Sequence, residues 1–210
     1  MRHVPHLFLE PPWAGVELTL SPDQASHLTR VLRLGDGDPV SYTDGQGIVG
    51  EGHLGSGLVV RGGESTVPRP SDLVLVVAPP DNRDRARFLV EKLAEMGVEE
   101  LVFLDARLGE GRPPRTDRLR AWAVSALEQS RGAWLMRTGD GLVTFPSISR
   151  PFLVCEPGAS RETPRARTVV VGPEGGWAPG EVPEDAPRLG LGDTILRVET
   201  AAIVAAARML

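Results

Sequence analysis

Thr168-Val-Val-Val-Gly-Pro-Glu-Gly-Gly-Trp177 is the stretch that decides the fold. Four residues of unbroken β-favouring, largely apolar character mark a strand buried on both faces, as in parallel sheets covered by helices. The run ends in a loop whose glycines let backbone N–H groups come close to a ligand. In open α/β sheets ligands bind beyond the carboxyl ends of the strands. The loop is not a P-loop, because no Gly-Lys-Ser/Thr follows. It is not the dinucleotide fingerprint either, since the spacing differs and Pro179 breaks an immediate helix. Read alone, a tight turn that needs glycine explains it equally well.

Working outward, the pattern of strand and helix repeats on both sides. Leu73–Val77 is another continuous apolar run. Residues 84–96 place Leu89, Leu93 and Met96 on one helical face, with Gly97 as a C′ residue. Val98–Leu104 reads as the next strand. Thr116 can cap a helix whose apolar face is Leu119, Trp122, Ala123, Ala126 and Leu127. Strands at Phe152–Cys155 and Arg188–Leu191 follow, then a helix from about Val198. Buried strands alternating with amphipathic helices predict an α/β layer with a largely parallel sheet.

Before residue 70 the character differs. Gly35, Gly37, Pro39, Gly45, Gly47, Gly50, Gly52, Gly55 and Gly57 punctuate short β-rich runs such as Pro39–Tyr42 and Leu58–Arg61. That spacing suggests a small barrel or sandwich. One helix interrupts it, with Ser21 as N-cap, Pro22 at the first helical position and Gln24 completing a capping box. Leu28, Val31 and Leu32 are expected to face inward. Val67-Pro-Arg-Pro-Ser71 reads as a linker, which gives units 1–70 and 71–210.

The 210 residues carry 41% hydrophobic and 24% charged side chains, an ordinary globular composition. No apolar run reaches the ~18–20 residues that span a bilayer, and no signal-peptide core follows the charged start. A soluble cytoplasmic protein is expected. A single cysteine, Cys155, excludes an internal disulfide and a C-x-x-C zinc site, and no metal is expected. The net charge of -5 argues against a general polyanion binder. Yet 22 of the 23 basic residues are arginine, whose planar fork suits phosphates and base edges, although genome composition also produces such a bias. Residues 107–137 hold seven arginines against three acids, a local +4.

Two further stretches could carry chemistry. Leu191-Gly-Asp-Thr-Ile-Leu-Arg-Val-Glu-Thr-Ala201 brings Arg197, Glu199 and Thr200 to the start of a helix. These supply an oxyanion donor, a possible base and free backbone N–H groups, or merely a charged helix cap. His27-Leu-Thr-Arg-Val-Leu-Arg33 sets His27, Arg30 and Arg33 on one solvent face, which suits phosphate contacts or a plain polar surface.

Taken together, the whole chain resembles the ribosomal small-subunit methyltransferase E family, the 16S rRNA uridine-N3 methyltransferases of the SPOUT superfamily. The matching pieces are His27–Asp36, Glu91-Lys-Leu-Ala-Glu-Met-Gly-Val98, Glu128-Gln-Ser130, Gly172-Pro-Glu-Gly-Gly176, Leu191-Gly192 and Ile195–Ala201, in the family's order. Gly-Pro-Glu-Gly-Gly followed at this distance by Leu-Arg-x-Glu-Thr-Ala is a specific combination.

The resemblance implies an α/β SPOUT-type, trefoil-knotted methyltransferase domain preceded by a small PUA-like β-barrel that helps grip RNA. Such a knot is a rare exception among folds. The resemblance further implies S-adenosylmethionine as cofactor, the 16S rRNA of the small ribosomal subunit as partner, and a homodimer. It places the cofactor against Leu153, Val154, Cys155 and Glu156, against Gly172, Pro173, Glu174, Gly175 and Gly176, and against Leu191, Gly192, Ile195, Leu196, Thr200 and Ala201. Arg197 would stabilise charge on a uracil carbonyl oxygen. Glu199 would accept the N3 proton, with Glu174 in reserve. RNA contacts would come from His27, Arg30, Arg33, Arg83, Arg85, Arg118 and Arg131. The chain departs from the family at several places. It lacks the lysine usual in the loop 79–85, where Arg83 or Arg85 can substitute. It has Arg131-Gly132-Ala133 for Gly-Arg-Asn, Asp193-Thr194 where an arginine commonly stands, and Trp177-Ala178 for Phe and Ser. The alternatives are a non-catalytic RNA-binding or ribosome-assembly protein on the same fold, and a methyltransferase acting on another RNA.

Overall fold

The structure is a computed structural model and describes residues 4–162 and 166–210. The chain divides into two compact units. The first takes the chain up to Arg69 together with Leu127–Leu135, and the second takes Pro70–Ala126 and Met136–Leu210.

The first unit is a curled, mixed five-stranded sheet, a half-barrel of the PUA-like kind. Its strands are β1 (His6–Phe8), β2 (Glu17–Thr19), β3 (Pro39–Thr43), β4 (Ile48–Gly55) and β5 (Leu58–Thr66), in the order β1-β3-β4-β5-β2. Only β1 and β3 pair in parallel. The glycines at 50, 52 and 55, expected to mark turns, instead lie within β4. Tyr42 stands opposite Gly50, and a Cβ on Gly50 would come within 2.3 Å of the Tyr42 ring. Glycine is needed there because the aromatic ring lies over the neighbouring backbone. Its hydroxyl donates to Glu64 at 2.9 Å. Leu7, Leu9, Leu18, Leu28, Val40, Tyr42, Leu54 and Val59 fill the core.

Helix α1 (Pro22–Ser26) starts with the expected capping box. Ser21 Oγ accepts from Gln24 N–H, and the Gln24 side chain accepts from Ser21 N–H. The helix then widens into a π-helical turn over His27–Val31, closed by Leu32 N–H donating to His27 O. The extra residue in that turn shifts the faces. Leu28 stays buried, but Val31, expected inside, is 65% exposed.

Residues 127–135 complete this unit although they are distant in sequence. Glu128 accepts from Phe8 N–H at 2.9 Å, the His6 ring hydrogen-bonds Gly132 O, and Leu135 N–H donates to Gly45 O. Trp134 donates from its indole to Val67 O and lies beneath the Arg69 guanidinium, 4.0 Å from ring centre to Cζ.

The second unit carries a six-stranded, wholly parallel sheet. Its strands are β6 (Val74–Val77), β7 (Glu100–Leu104), β8 (Arg137–Val143), β9 (Phe152–Cys155), β10 (Thr168–Val171) and β11 (Arg188–Leu189), in the order β11-β9-β10-β6-β7-β8. Strand β8 was not legible, because Gly139 and Gly141 interrupt a polar run. Its helices are α2 (Arg83–Glu95), α3 (Thr116–Ser130), whose last turn belongs to the first unit, and α4 (Val198–Met209). Asn82 caps α2 by accepting from Asp84 and Arg85 N–H, and Gly97 ends it with φ +78. The expected face of α3 is buried, from Ala123 at 1% to Trp122 at 7% exposure. Helix α4 packs on α2 and on strands β10 and β6. On one side of the sheet, Val76, Leu104, Phe145, Phe152, Val154 and Val170 form a cluster with Val182. The chain runs outward through β7 and β8, then returns to β9 and sets β10 between β9 and β6. The loops after β6 and β10 therefore diverge, which opens a crevice of the kind where ligands bind.

Candidate active site

Two cavities occupy the carboxyl edge of the parallel sheet. The first, of about 270 Å³, lies against the loops that follow β9, β10 and β11. Cys155, Glu156 and Pro157 form one wall, Val171 to Trp177 a second, and Leu191, Gly192, Thr194, Ile195 and Leu196 a third, with Ala201 from α4. Its volume is close to the ~300 Å³ at which small-molecule pockets begin, and it is walled mostly by backbone and apolar side chains. Gly172 matters here for space. A Cβ at that position would lie 2.6 Å from the Trp177 ring, which is itself edge-on to Phe145 at a centroid distance of 5.3 Å. The aromatic wall and the loop backbone therefore touch because position 172 has no side chain. Burial pushes the Cys155 thiol up to about 12, so it lines the cavity as a neutral, unreactive group.

The second cavity, of about 590 Å³, is polar. Pro79, Asp81, Asn82, Arg85, Leu108, Glu110, Gly111 and Arg197 line it together with Pro173, Glu174 and Gly175. The two cavities thus share the wall Pro173–Gly175. Arg197 is the N-cap of α4, with extended backbone (φ -65, ψ 155) and no side-chain cap bond. Its side chain is exposed, and among the described residues no ion pair or hydrogen bond engages its guanidinium.

A guanidinium–carboxylate cluster joins the surrounding segments. Arg85 donates from Nε to Glu199 Oε1 at 3.0 Å and from Nη2 to Glu199 Oε2 at 2.7 Å. It also donates from Nη1 to Asp81 at 2.6 Å, and Nη2 contacts Glu174. The Glu199 side chain is 8% exposed and that of Glu174 45%. Burial alone would push the Glu174 carboxyl up. Hydrogen bonds from Arg85 and from the backbone N–H of Val198 carry it below the ordinary carboxylate value. Glu174 thus supplies the anion that the uncapped start of α4 favours.

The residues singled out in the sequence are distributed unevenly. Cys155, Glu156, Gly172 to Gly176, Leu191, Gly192, Ile195, Leu196 and Ala201 meet around the apolar cavity. Leu153 and Val154 do not line it, because both are enclosed inside β9. Thr200 is exposed and lines neither cavity, and Glu199 lies behind the polar one, on Arg85. Trp177, Thr194, Asp81, Leu108, Glu110 and Gly111 were not singled out as site residues. Pro79 and Pro80 ahead of a helix N-cap were the available signal for the polar side. In the first unit His27, Arg30 and Arg33 are exposed, and Arg33 adopts a positive φ of 55. Arg131, also of that unit, donates to Ser41 Oγ at 3.0 Å. In the second unit Arg83 and Arg118 are exposed. Arg85 departs most from expectation, being enclosed by carboxylates rather than presented to a phosphate.

Among the described residues no group of three or more His, Cys, Asp or Glu is arranged to hold a metal ion. None of the described helices is long and apolar enough to cross a membrane.

Comparison with known proteins adds the following. A family model described as RNA methyltransferase domain matches residues 67–210. No curated protein matches the chain. Crystal structures similar over nearly the whole chain include a probable rRNA-methyltransferase from Porphyromonas gingivalis, at 24% identity and a TM-score of 0.81, covering 98% of this chain and 97% of that one. Another is ribosomal RNA small subunit methyltransferase E from Neisseria gonorrhoeae bound to S-adenosyl methionine, at 24% identity, TM-score 0.80 and 99% and 97% coverage. A third is a predicted RNA methyltransferase from Thermotoga maritima, at 26%, 0.78, and 98% and 97%. These likenesses establish the fold of both units as one shared with such enzymes.

Proposed function

Because the chain belongs to the RNA methyltransferase domain family, we propose that it transfers a methyl group from S-adenosylmethionine to N3 of a uracil in 16S rRNA. The observation that carries this reading is the shared wall between two unlike cavities, one apolar and walled by backbone, one polar and open to a base. A donor and an acceptor held on either side of Pro173–Gly175 would meet at that wall, and orientation of this kind supplies much of the rate of a transfer reaction.

The apolar cavity suits the cofactor. Glycine backbone approaches closely, Trp177 and Ile195 offer flat and branched apolar surface for an adenine, and Glu156 stands at the rim. S-adenosylmethionine would supply an electrophilic methyl sulfonium there. The chain's own groups then act on the acceptor. Uracil presents an N3–H donor between two carbonyl acceptors. The polar cavity offers the complement, with the carboxylates of Asp81, Glu110 and Glu174 and the Arg197 guanidinium all in its lining. Cytosine would point an N3 lone pair at a carboxylate, which disfavours it. Arg197 would stabilise the negative charge that spreads onto a carbonyl oxygen as the N3 proton leaves. Glu174 is better placed than Glu199 to receive that proton. It lines the cavity, whereas both oxygens of Glu199 are engaged by Arg85.

The same reading gives the first unit an RNA-gripping role through His27, Arg30 and Arg33, with Arg83, Arg118 and Arg131 as further contacts. It includes a cytoplasmic homodimer and a trefoil knot in the second unit. Placement of β10 between two strands that precede it in the chain supports the knot.

The test is calorimetric titration with S-adenosylmethionine, using ATP and NAD as controls, followed by methyl transfer to small-subunit rRNA and mapping of the product. Selective one-to-one binding per subunit and a single N3-methyluridine are expected. No binding with or without RNA would refute the reading. Methylation of another RNA, or binding without transfer, would replace it with the corresponding alternative.

A further inference from the structure

We propose that Arg85 is a positioning residue of the transfer site and not a contact to RNA phosphate. The inference rests on the proposed function for what is being positioned, and on the structure for how. A guanidinium has five N–H donors. Four hydrogen bonds leave Arg85, to Asp81, to Glu174 and two to Glu199. The side chain is 21% exposed, and its first turn is fixed by the Asn82 cap and by the buried Ala86 and Leu89. A phosphate would have to displace a carboxylate to reach it.

What Arg85 joins gives it a role. Glu174 sits on the wall shared by the two cavities. Glu199 sits in the first turn of α4, between the cavity residue Ala201 and the polar-side Arg197. Without the guanidinium the two carboxylates would repel, and only the Val198 N–H would still tie Glu174 of the glycine-rich loop to the start of α4. With it, that loop and Arg197 are held in a fixed relation. Arg85 also absorbs the carboxylates that could otherwise pair with Arg197, and so keeps Arg197 available to the acceptor base. A lysine ammonium has only three N–H donors, all on one atom, and cannot replace the four bonds that the planar fork spreads from three nitrogens over Asp81, Glu174 and Glu199.

Arg85→Lys should therefore lower kcat about 100-fold, the cost of a displacement of roughly 1 Å at a transfer site. The KM for RNA and the salt dependence of RNA affinity should stay at wild-type values. A phosphate contact would do the reverse. It would raise KM, spare kcat and reduce the slope of log affinity against log salt by about 0.9 for B-DNA and about 0.7 for single strands. That outcome overturns the proposal. A readout independent of activity is the side-chain carbon NMR titration of Glu174 in Arg85→Met and in Arg85→Met with Glu199→Gln. The Glu174 carboxyl should titrate higher in Arg85→Met, and the double variant should recover thermal stability lost in the single one. Unchanged titration and stability would refute the bridging role even if the wild-type protein methylates RNA. If the wild type methylates nothing while these two shifts occur, the bridge stands and the proposed function fails.

Discussion

Gly172→Ala probes the wall between loop and cavity. The added Cβ would lie 2.6, 2.8 and 2.9 Å from three atoms of the Trp177 ring, all under the 3.0 Å that real Cβ atoms respect. Reaching the 3.4 Å of ordinary contact requires a movement of 0.8 Å, the difference between 3.4 and 2.6. Trp177 is held on one side, because it is partly buried and packs edge-on to Phe145 of a buried cluster. Overpacking of this kind costs about 1–3 kcal/mol. The cost should appear in urea unfolding as a lower midpoint with an unchanged slope. It should also weaken cofactor binding in calorimetry, because the displaced ring lines the cavity. The decisive variant is Trp177→Ala. With the ring gone, Gly172→Ala should cost almost nothing, giving a coupling energy of about 1–3 kcal/mol in a double-mutant cycle. An equal cost in both backgrounds, or a fully tolerated alanine beside the intact ring, would refute the close approach as the reason for glycine.

Other predictions follow from single contacts. Cys155 should resist maleimide at pH 8 in the native protein and react on unfolding, since burial keeps its thiol protonated up to about 12. Rapid native labelling would contradict its enclosure. Burial, with the Arg131 charge adding to it, lowers His6 below 6.5 despite the hydrogen bond to Gly132. The folded state therefore prefers the neutral ring, so stability is full above about pH 6.5 and declines as pH falls below it. His6→Gln should flatten that decline in denaturation midpoints, and an unaltered slope would assign it elsewhere. Finally, rRNA affinity should fall steeply between 50 and 200 mM salt if several arginines meet phosphates. A salt-independent affinity would remove the exposed arginines from the interface.

Much of the second unit was legible because its information is local. The runs Phe152–Cys155 and Thr168–Val171 coincide with β9 and β10, and α4 begins at Val198 as expected. Strands buried on both faces are written as unbroken apolar runs, and helices as periodic ones. The misreadings came from long-range contacts and from a local change of helical period. The glycines of β4 look like turn residues until the Tyr42 ring is seen to cover Gly50. Val31 faces outward because a π-helical turn changes the period, which a 3.6-residue pattern cannot register. At the site, the glycine loop and the start of α4 were found through motif spacing. Arg85 was read as an RNA contact, because nothing in Asp84-Arg-Ala86 announces that carboxylates 89 and 114 residues away converge on it. The same blindness hid segment 127–135, which fills out the first unit from inside the sequence of the second.

That segment has a consequence for biosynthesis. As the chain leaves the ribosome, residues up to Arg69 emerge without the glutamate that receives Phe8 N–H, the carbonyl that meets His6, or the indole that spans to Val67. The amino-terminal unit is thus the first to appear and cannot be the first to finish. It must wait until residue 135 is free, by which time β6, β7 and all of α3 have emerged. A nascent chain arrested before that point should remain more open to protease around Phe8 and Val67, where those contacts are still missing.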